Sequence, residues 1–420
     1  MPDTSRPARA PWSGTLTSVH VVFVAGVGLS TTFVNVFLWR HGGGLGVVLH
    51  YHVALFAAFI PGGAVAGLLM RRTSRVLALR WGVALHAVFF GLVLFLGWRA
   101  PAFAWALGAL MGLAMGFYYV AASVLVRDVT AGGSASRQVG AMDQARLAAM
   151  TVTPFAAALA IDQLTPARGY PVVFAVSFLL FVGAALWSAR LRGADSAAPF
   201  ALDVTLWRPP PAWRRFLYAQ GLRGVRDGVF LFLAGVLVFE RTRSEFELGL
   251  FALGSGALGW MATRWVAARA HRRDTRMALM GVGAALSVAA AVSLAVLRGR
   301  TSVVAFGLFE GLAVPLVAVP FSTESYALVE RDPRAGRRTL GYMVAREIPL
   351  NLGRLAGVAV LLAVVQGLDR PEGLGLVLVG LALANVAAWL VLRGPVPGAA
   401  GGTPVGRAVS SPADGRADTE

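Results

Sequence analysis

Stretches of about 20 mostly apolar residues recur along this chain, and few folds can absorb them. Wound as a helix at about 1.5 Å per residue, each crosses a hydrocarbon core of about 30 Å. Of 420 residues, 57% are hydrophobic and only 14% charged, and the mean hydropathy is +0.66. A water-facing surface cannot be built from that composition. The chain therefore reads as an all-α polytopic membrane protein, not as the two or three soluble domains its length would suggest. A transmembrane barrel would alternate polar and apolar residues in segments of about 10, and no such pattern occurs.

Twelve helical segments are expected, at 16–39, 47–70, 76–98, 101–126, 138–161, 170–190, 214–239, 246–268, 276–297, 301–328, 338–366 and 373–393. They divide the chain into a polar lead-in (1–15), a six-helix bundle (16–190), a linker containing Pro209-Pro210-Pro211 (191–213), a second six-helix bundle (214–393) and a Gly-, Pro- and Ala-rich tail (394–420). The lead-in and the tail carry no apolar period and are expected to be disordered.

A repeat relates the two bundles. Arg71-Arg72-Thr73-Ser74-Arg75 returns 201 positions later as Arg272-Arg273-Asp274-Thr275-Arg276. The same offset pairs Arg40 with Arg241, Gly82 with Gly283, Arg99 with Arg300, Gly140 with Gly341 and Met142 with Met343. Six crossings between copies keep them parallel, so the expectation is two pseudo-symmetric bundles related by an axis along the membrane normal.

The formal net charge of +17 comes from 38 basic residues, every one an arginine. They are scattered through short loops and not striped along one face, which argues against a nucleic-acid partner. Arginines concentrate after the even-numbered segments, so the positive-inside rule places both termini in the cytoplasm of a plasma-membrane protein. Trp12, Trp39, Trp98, Trp187, Trp207 and Trp213 fall at segment ends and are expected as interfacial anchors. With no cysteine, the chain can hold no disulfide, thiolate nucleophile or Cys-based metal site, and no metal or cofactor is expected.

Soluble-enzyme motifs fail on context. Gly254-Ser255-Gly256-Ala257-Leu258-Gly259 spells a dinucleotide fingerprint, yet it lies inside an apolar helix with no preceding strand. Close helix packing explains it better, as it does Gly63/Gly67, Gly108/Gly112/Gly116 and Gly353/Gly357. Enzymatic activity is not expected.

The informative residues are charges inside apolar segments, each costing about 2.5–3.5 kcal/mol at a helix centre unless it faces a cavity or a partner. Segment 7 carries Arg223, Arg226 and Asp227, roughly 14–20 Å from its start and on one face. Segment 5 carries Asp143, Gln144 and Arg146; segment 10 carries Glu310; segment 11 carries Arg346, Glu347, Asn351 and Arg354. Segments 6, 9 and 12 have no central charge. The pairs Arg223–Asp227, Asp143–Arg146 and Arg346 or Arg354 with Glu347 could be structural. Alternatively Asp227, Glu310, Glu347 and Asp143 could carry protons, since burial favours the neutral acid and a nearby Arg the carboxylate. The excess of arginines over carboxylates mildly favours an anionic or zwitterionic substrate. Asn35, Thr31 and Thr32, Tyr118 and Tyr119, Gln220, Ser322 and Thr323 are further lining candidates, with Tyr118 the tyrosine expected at the substrate. Of the two tyrosines at most one can face inward.

Twelve helices in two parallel halves, with basic loops after segments 2 and 8, resemble the major facilitator superfamily over residues 16–393. Of that family's loop motif Gly67, Arg72 and Arg75 match, while Arg71 stands where the Asp would be and Ser74 where the second Gly would be. Gly112-Leu-Ala-Met-Gly116-Phe-Tyr-Tyr-Val with Arg127-Asp128-Val-Thr also resembles a poorly characterised bacterial branch. The resemblance implies a monomeric secondary transporter of a small solute, working by alternating access in a lipid bilayer and drawing on a proton gradient. Segments 1, 4, 7 and 10 would line its cavity. It also implies gating by the loops of Gly67, Arg71, Arg72 and Arg75 and of Arg272, Arg273 and Arg276. The Gly-Pro motif of drug antiporters and the sugar-porter signatures are missing. A non-transporting receptor or scaffold, and a lipid translocase, remain the alternatives.

Overall fold

The computed structural model describes residues 13–130, 135–191, 202–332, 335–367 and 374–394, with only the backbone described over 127–130, 135–143 and 335–337. The lead-in before residue 13 with Trp12, the tail after Gly394 and the middle of the linker lie outside the described residues. The described residues form twelve long helices: α1 (Ser13–His41), α2 (Leu45–Arg72), α3 (Arg75–Leu96), α4 (Ala104–Thr130), α5 (Ala135–Leu164), α6 (Pro166–Ser188), α7 (Pro211–Thr242), α8 (Glu245–Ala267), α9 (Arg273–Val296), α10 (Gly299–Glu330), α11 (Ala335–Gly367) and α12 (Leu374–Arg393). No strand occurs among them. Nine described stretches are long and apolar enough to cross a membrane, one of them running through both α3 and α4. α7 is not among these, because it carries three charges in its middle and turns them inward.

Local chemistry sets most of the helix ends. Ser74 caps α3 by accepting from Leu77 N at 3.0 Å, and Ser244 caps α8 by accepting from Glu247 N at 3.2 Å. Pro166 and Pro211 sit in first turns, where a missing N–H costs nothing, so α6 and α7 start a few residues earlier than hydropathy predicts. The linker is not featureless. Its Asp203–Trp207 stretch forms a five-residue π-helical turn, and Trp213 Nε1 donates to Thr205 O at 2.9 Å. Trp213 is thus buried under the linker and is no interfacial anchor, whereas Trp98, Trp187 and Trp207 are exposed.

Packing follows the repeat. In the first half α2 and α3 pack on α4, α5 and α6 on α1, and α3 on α6. Each pairing recurs six helices later: α8 and α9 on α10, α11 and α12 on α7, and α9 on α12. The halves meet chiefly at α5 against α8 and α2 against α11, with smaller contacts of α1 with α7 and α4 with α11. Several pairs approach to backbone contact. A Cβ on Gly112 would strike the Leu55 carbonyl across α4 and α2, and one on Gly353 would strike the Gly221 carbonyl across α11 and α7.

Candidate functional site

Mid-depth in the second half, α7, α10 and α11 gather the charges that hydropathy made conspicuous. Arg226 is 4% exposed and donates through Nη2 to Glu310 on α10, and through Nη1 to Asp227 Oδ1 at 3.3 Å. Arg223 Nε lies 3.1 Å from Asp227 Oδ2, one turn along, but does not aim its hydrogen at it. The Arg223–Asp227 contact is therefore an ion pair without a well-formed hydrogen bond. On α11, Arg346 Nε donates to Glu347 Oε1 at 3.1 Å, and Asn351, fully buried, donates from Nδ2 to the Glu347 carbonyl at 2.9 Å.

Arg354 differs from its neighbours. Its Nη1 donates to the neutral Asn351 Oδ1 at 3.2 Å, its guanidinium lies 5.6 Å from the centre of the Phe56 ring on α2, and its Nε is buried without an acceptor. No described carboxylate forms an ion pair with it, although Asp227 and Glu347 lie within electrostatic reach. Tyr119 on α4 faces the same group, together with Arg146 of α5 and Glu347. The site is thus an incompletely neutralised guanidinium between the halves, backed by aromatic faces and two carboxylates.

The other expected lining residues sort clearly. Tyr118 turns away into the first half, where its ring stacks on Phe23 at 3.4 Å between centroids and its hydroxyl meets His20 Nδ1 at 2.8 Å. Two adjacent helical residues diverge by about 100°, so Tyr119 is the one that reaches the charges. Gln220 is buried just under one turn from Arg223 and its Oε1 has no donor; Asn35 is buried on α1. Gln144 accepts from Trp260 Nε1 at 2.7 Å and so links α5 to α8. The side chain of Asp143, and its pairing with Arg146, fall outside the described residues.

At the helix ends holding residues 39–52 and 232–247, the halves are joined directly. Arg40 Nη1 donates to Glu245 Oε1 at 2.7 Å and Tyr170 OH donates to the same oxygen at 3.3 Å. Trp39 meets the Phe239 ring and lies under Arg243, and His52 stacks on Phe232 at 3.8 Å. The basic loops lie at the opposite end. Arg71 and Arg72 are exposed at the end of α2, Gly67 is buried within it, and Arg75 starts α3. In the second copy Arg272 is exposed, but Arg276 is buried and donates to Glu324 Oε2 at 2.7 Å, while Arg273 reaches Glu324 Oε1 at 3.4 Å and the Leu392 carbonyl at 2.8 Å. Sequence reasoning missed Glu324 and Glu245. Glu324 lies in the same apolar segment as Glu310 and is as conspicuous there. Its 201-residue counterpart is Ser123, so the signal was a break in the repeat.

No family model matches the chain. It is 29% identical over 372 residues to the uncharacterized protein YqgE of Bacillus subtilis (strain 168), covering 88% of this chain and 86% of that protein. It is 37% identical over 152 residues to an uncharacterized protein in the sodM 3' region of Geobacillus stearothermophilus, covering 36% of this chain and 71% of that one. Among solved structures it is similar to an inward-facing bacterial homologue of the iron transporter ferroportin (TM-score 0.66, 16% identity, 90% of this chain and 97% of that one). It is also similar to the human organic anion transporter MFSD10 (0.66, 14%, 92% and 100%) and to the nucleoside transporter NupG (0.66, 11%, 92% and 100%). At such identities the likeness establishes the fold.

Proposed function

We propose that this chain, which shares a family with the uncharacterized Geobacillus protein and has the fold of the major facilitator superfamily, is a secondary active transporter of a small solute. It works by alternating access between its two halves, is coupled to protons, and prefers an anionic or zwitterionic substrate. Both termini lie in the cytoplasm, and the unit is a monomer in the plasma membrane. The observation that carries this reading is Arg354, a guanidinium at the interface of the halves whose one hydrogen-bond partner among the described residues is a neutral amide. A carboxylate or phosphate would supply the missing acceptors in bidentate geometry.

Coupling then has a specific form. Arg223, Arg226, Asp227, Glu310, Arg346, Glu347 and Arg354 all belong to the second half, so rocking alone does not pull these pairs apart. Exchange of partners does the work instead. Protonation of Asp227 frees Arg223 and strengthens the positive field at Arg354, so that an anion binds with a proton and leaves with it. Tyr119 and Arg146, from the first half, close over the substrate as the halves approach.

The test is a screen of small carboxylates, amino acids and phosphate esters for thermal stabilisation of the purified protein, followed by flux into vesicles under an imposed pH gradient. Uptake that follows the gradient and is lost in Arg354→Gln supports the reading. Because the chain has no native cysteine, single cysteines at Thr31 and Ser322 can be labelled from each side. Accessibility that never changes with ligand would favour a receptor that carries nothing across.

A further inference from the structure

The two halves differ in how their second and fourth helices meet, and the difference opens a crevice on the membrane-facing side of the second half. In the first half Gly108, Gly112 and Gly116 on α4 lie in register against α2. A Cβ on Gly108 or Gly112 would come within 2.2 or 2.1 Å of a carbonyl, of Tyr51 or Leu55. By its contacts with α8 the equivalent run on α10 is Gly307, Gly311 and Pro315, two residues short of the 201-residue offset. Gly307 faces the ring of Phe251 in place of a backbone carbonyl, and a Cβ on Gly311 would stand a wider 3.0 Å from the Ser255 carbonyl. A Cβ on Gly259 of α8 would make only ordinary contact, 3.4 Å from the Gly311 carbonyl and 4.0 Å from the Pro315 ring. A wedged phenyl ring and a pyrrolidine, where the first half has bare backbone, hold α8 and α10 apart.

The resulting crevice has a volume of about 560 Å³ and runs from Glu247 and Arg300 at its mouth to Leu258. A second hollow of about 330 Å³ shares Leu258 and continues the groove to Trp265. The walls are apolar, and Leu250, Val304 and Leu308 along them are more than half exposed. On α10, Val304 and Leu308 lie on the side away from Glu310, so the groove faces away from the charged site. On α8 the span from Phe246 to Leu258 is about 18 Å long, close to half of a hydrocarbon core of about 30 Å. Gly254 forms part of the floor, and a side chain there would meet nothing within 4 Å. At the mouth Arg300 has a side-chain exposure of 77% while pairing with Glu247, and Arg298 flanks it, also exposed.

We propose that the α8–α10 groove is a phospholipid site, taking one acyl chain along Gly254 and the lipid phosphate at Arg300. The occupant follows from the geometry. The main crevice, from Phe246 to Leu258, is about one leaflet deep and too apolar for a polar solute, and it opens at Arg300, whose guanidinium, shared with Glu247, stands where a phosphate would. A crevice of about 560 Å³ holds one acyl chain and is too small for a partner helix. This proposal is independent of the transport reading, because it concerns the outer face of one half and can hold for a protein that transports nothing.

The experiment uses the full chain in detergent, titrated with phosphatidylglycerol and followed by native mass spectrometry. One lipid is expected to bind well above the non-specific background. Gly254→Leu, which projects a side chain into the groove, is expected to weaken it by about tenfold or more, since it displaces several methylenes of the acyl chain. Arg300→Gln is expected to weaken binding several-fold without abolishing it. Gly183→Leu places the same side chain at an open, exposed position on α6 and is expected to change nothing. Unaltered binding in Gly254→Leu, equal loss in Gly183→Leu, or tight binding of a soluble apolar peptide in place of the lipid would each overturn the proposal.

Discussion

At the scale of residues, burial and pairing separate charges that look alike in sequence. Glu324 is 2% exposed and holds Arg276, itself 7% exposed, so neither can lose the other without stranding a charge. Glu324→Ala is expected to lower unfolding stability by about 3–5 kcal/mol, read by denaturant or thermal melts in detergent. Asp227 differs: two arginines contact it, one of them through a poorly aligned bond. Asp227→Asn is expected to abolish uptake driven by a pH gradient while leaving exchange of substrate across the membrane, and intact proton-driven uptake would remove Asp227 from the coupling step. Of the residues flagged in the sequence as costly intramembrane charges, those of α7, α10 and α11 do assemble, because that cost forces them toward one another. Which of two adjacent tyrosines joins them was not legible, since hydropathy does not distinguish the two sides of a helix that are both buried.

At the scale of elements, glycine spacing is the strongest guide and its breaks are the most informative. Gly353 lies against the Gly221 carbonyl and Gly357 against the Val225 carbonyl, so α11 and α7 touch through backbone. Gly353→Leu is expected to force the helices apart and cost about 3 kcal/mol or the fold itself, whereas Gly254→Leu on the open side of α8 should leave the melting temperature unchanged. The fingerprint-like run at 254–259 resolves along the same lines: Gly256 packs on Thr151 of α5, Gly259 near α10, and Gly254 on nothing. The basic loops, alike in sequence, also diverge. The second copy is tied by Arg273 and Arg276 to Glu324 and to the end of α12, while Arg71 and Arg72 remain exposed.

At the scale of the whole molecule, the halves are closed at one end by Arg40, Glu245, Tyr170 and the Trp39–Phe239 contact. With the topology proposed above, that is the outer end. Toward it, Thr32 and Gly235 face one another across α1 and α7, a Cβ on Gly235 standing 3.1 Å from Thr32 Cγ2. Cysteines at both positions in this cysteine-free chain should oxidise to a lock that stops transport and releases on reduction; transport unaffected by a formed cross-link would exclude a rocking mechanism. Glu245→Gln should weaken the same closure and raise labelling of Thr31→Cys from outside. What sequence by itself determined was the number of helices and their parallel duplication, because both follow from apolar length and period along one dimension. Tertiary structure alone decided that Arg226 of α7 reaches Glu310 of α10, that Arg354 meets a neutral amide in place of a carboxylate, and that α8 stands away from α10. Those depend on the rotation of each helix about its axis and on contacts between segments far apart in the chain, which no local pattern encodes.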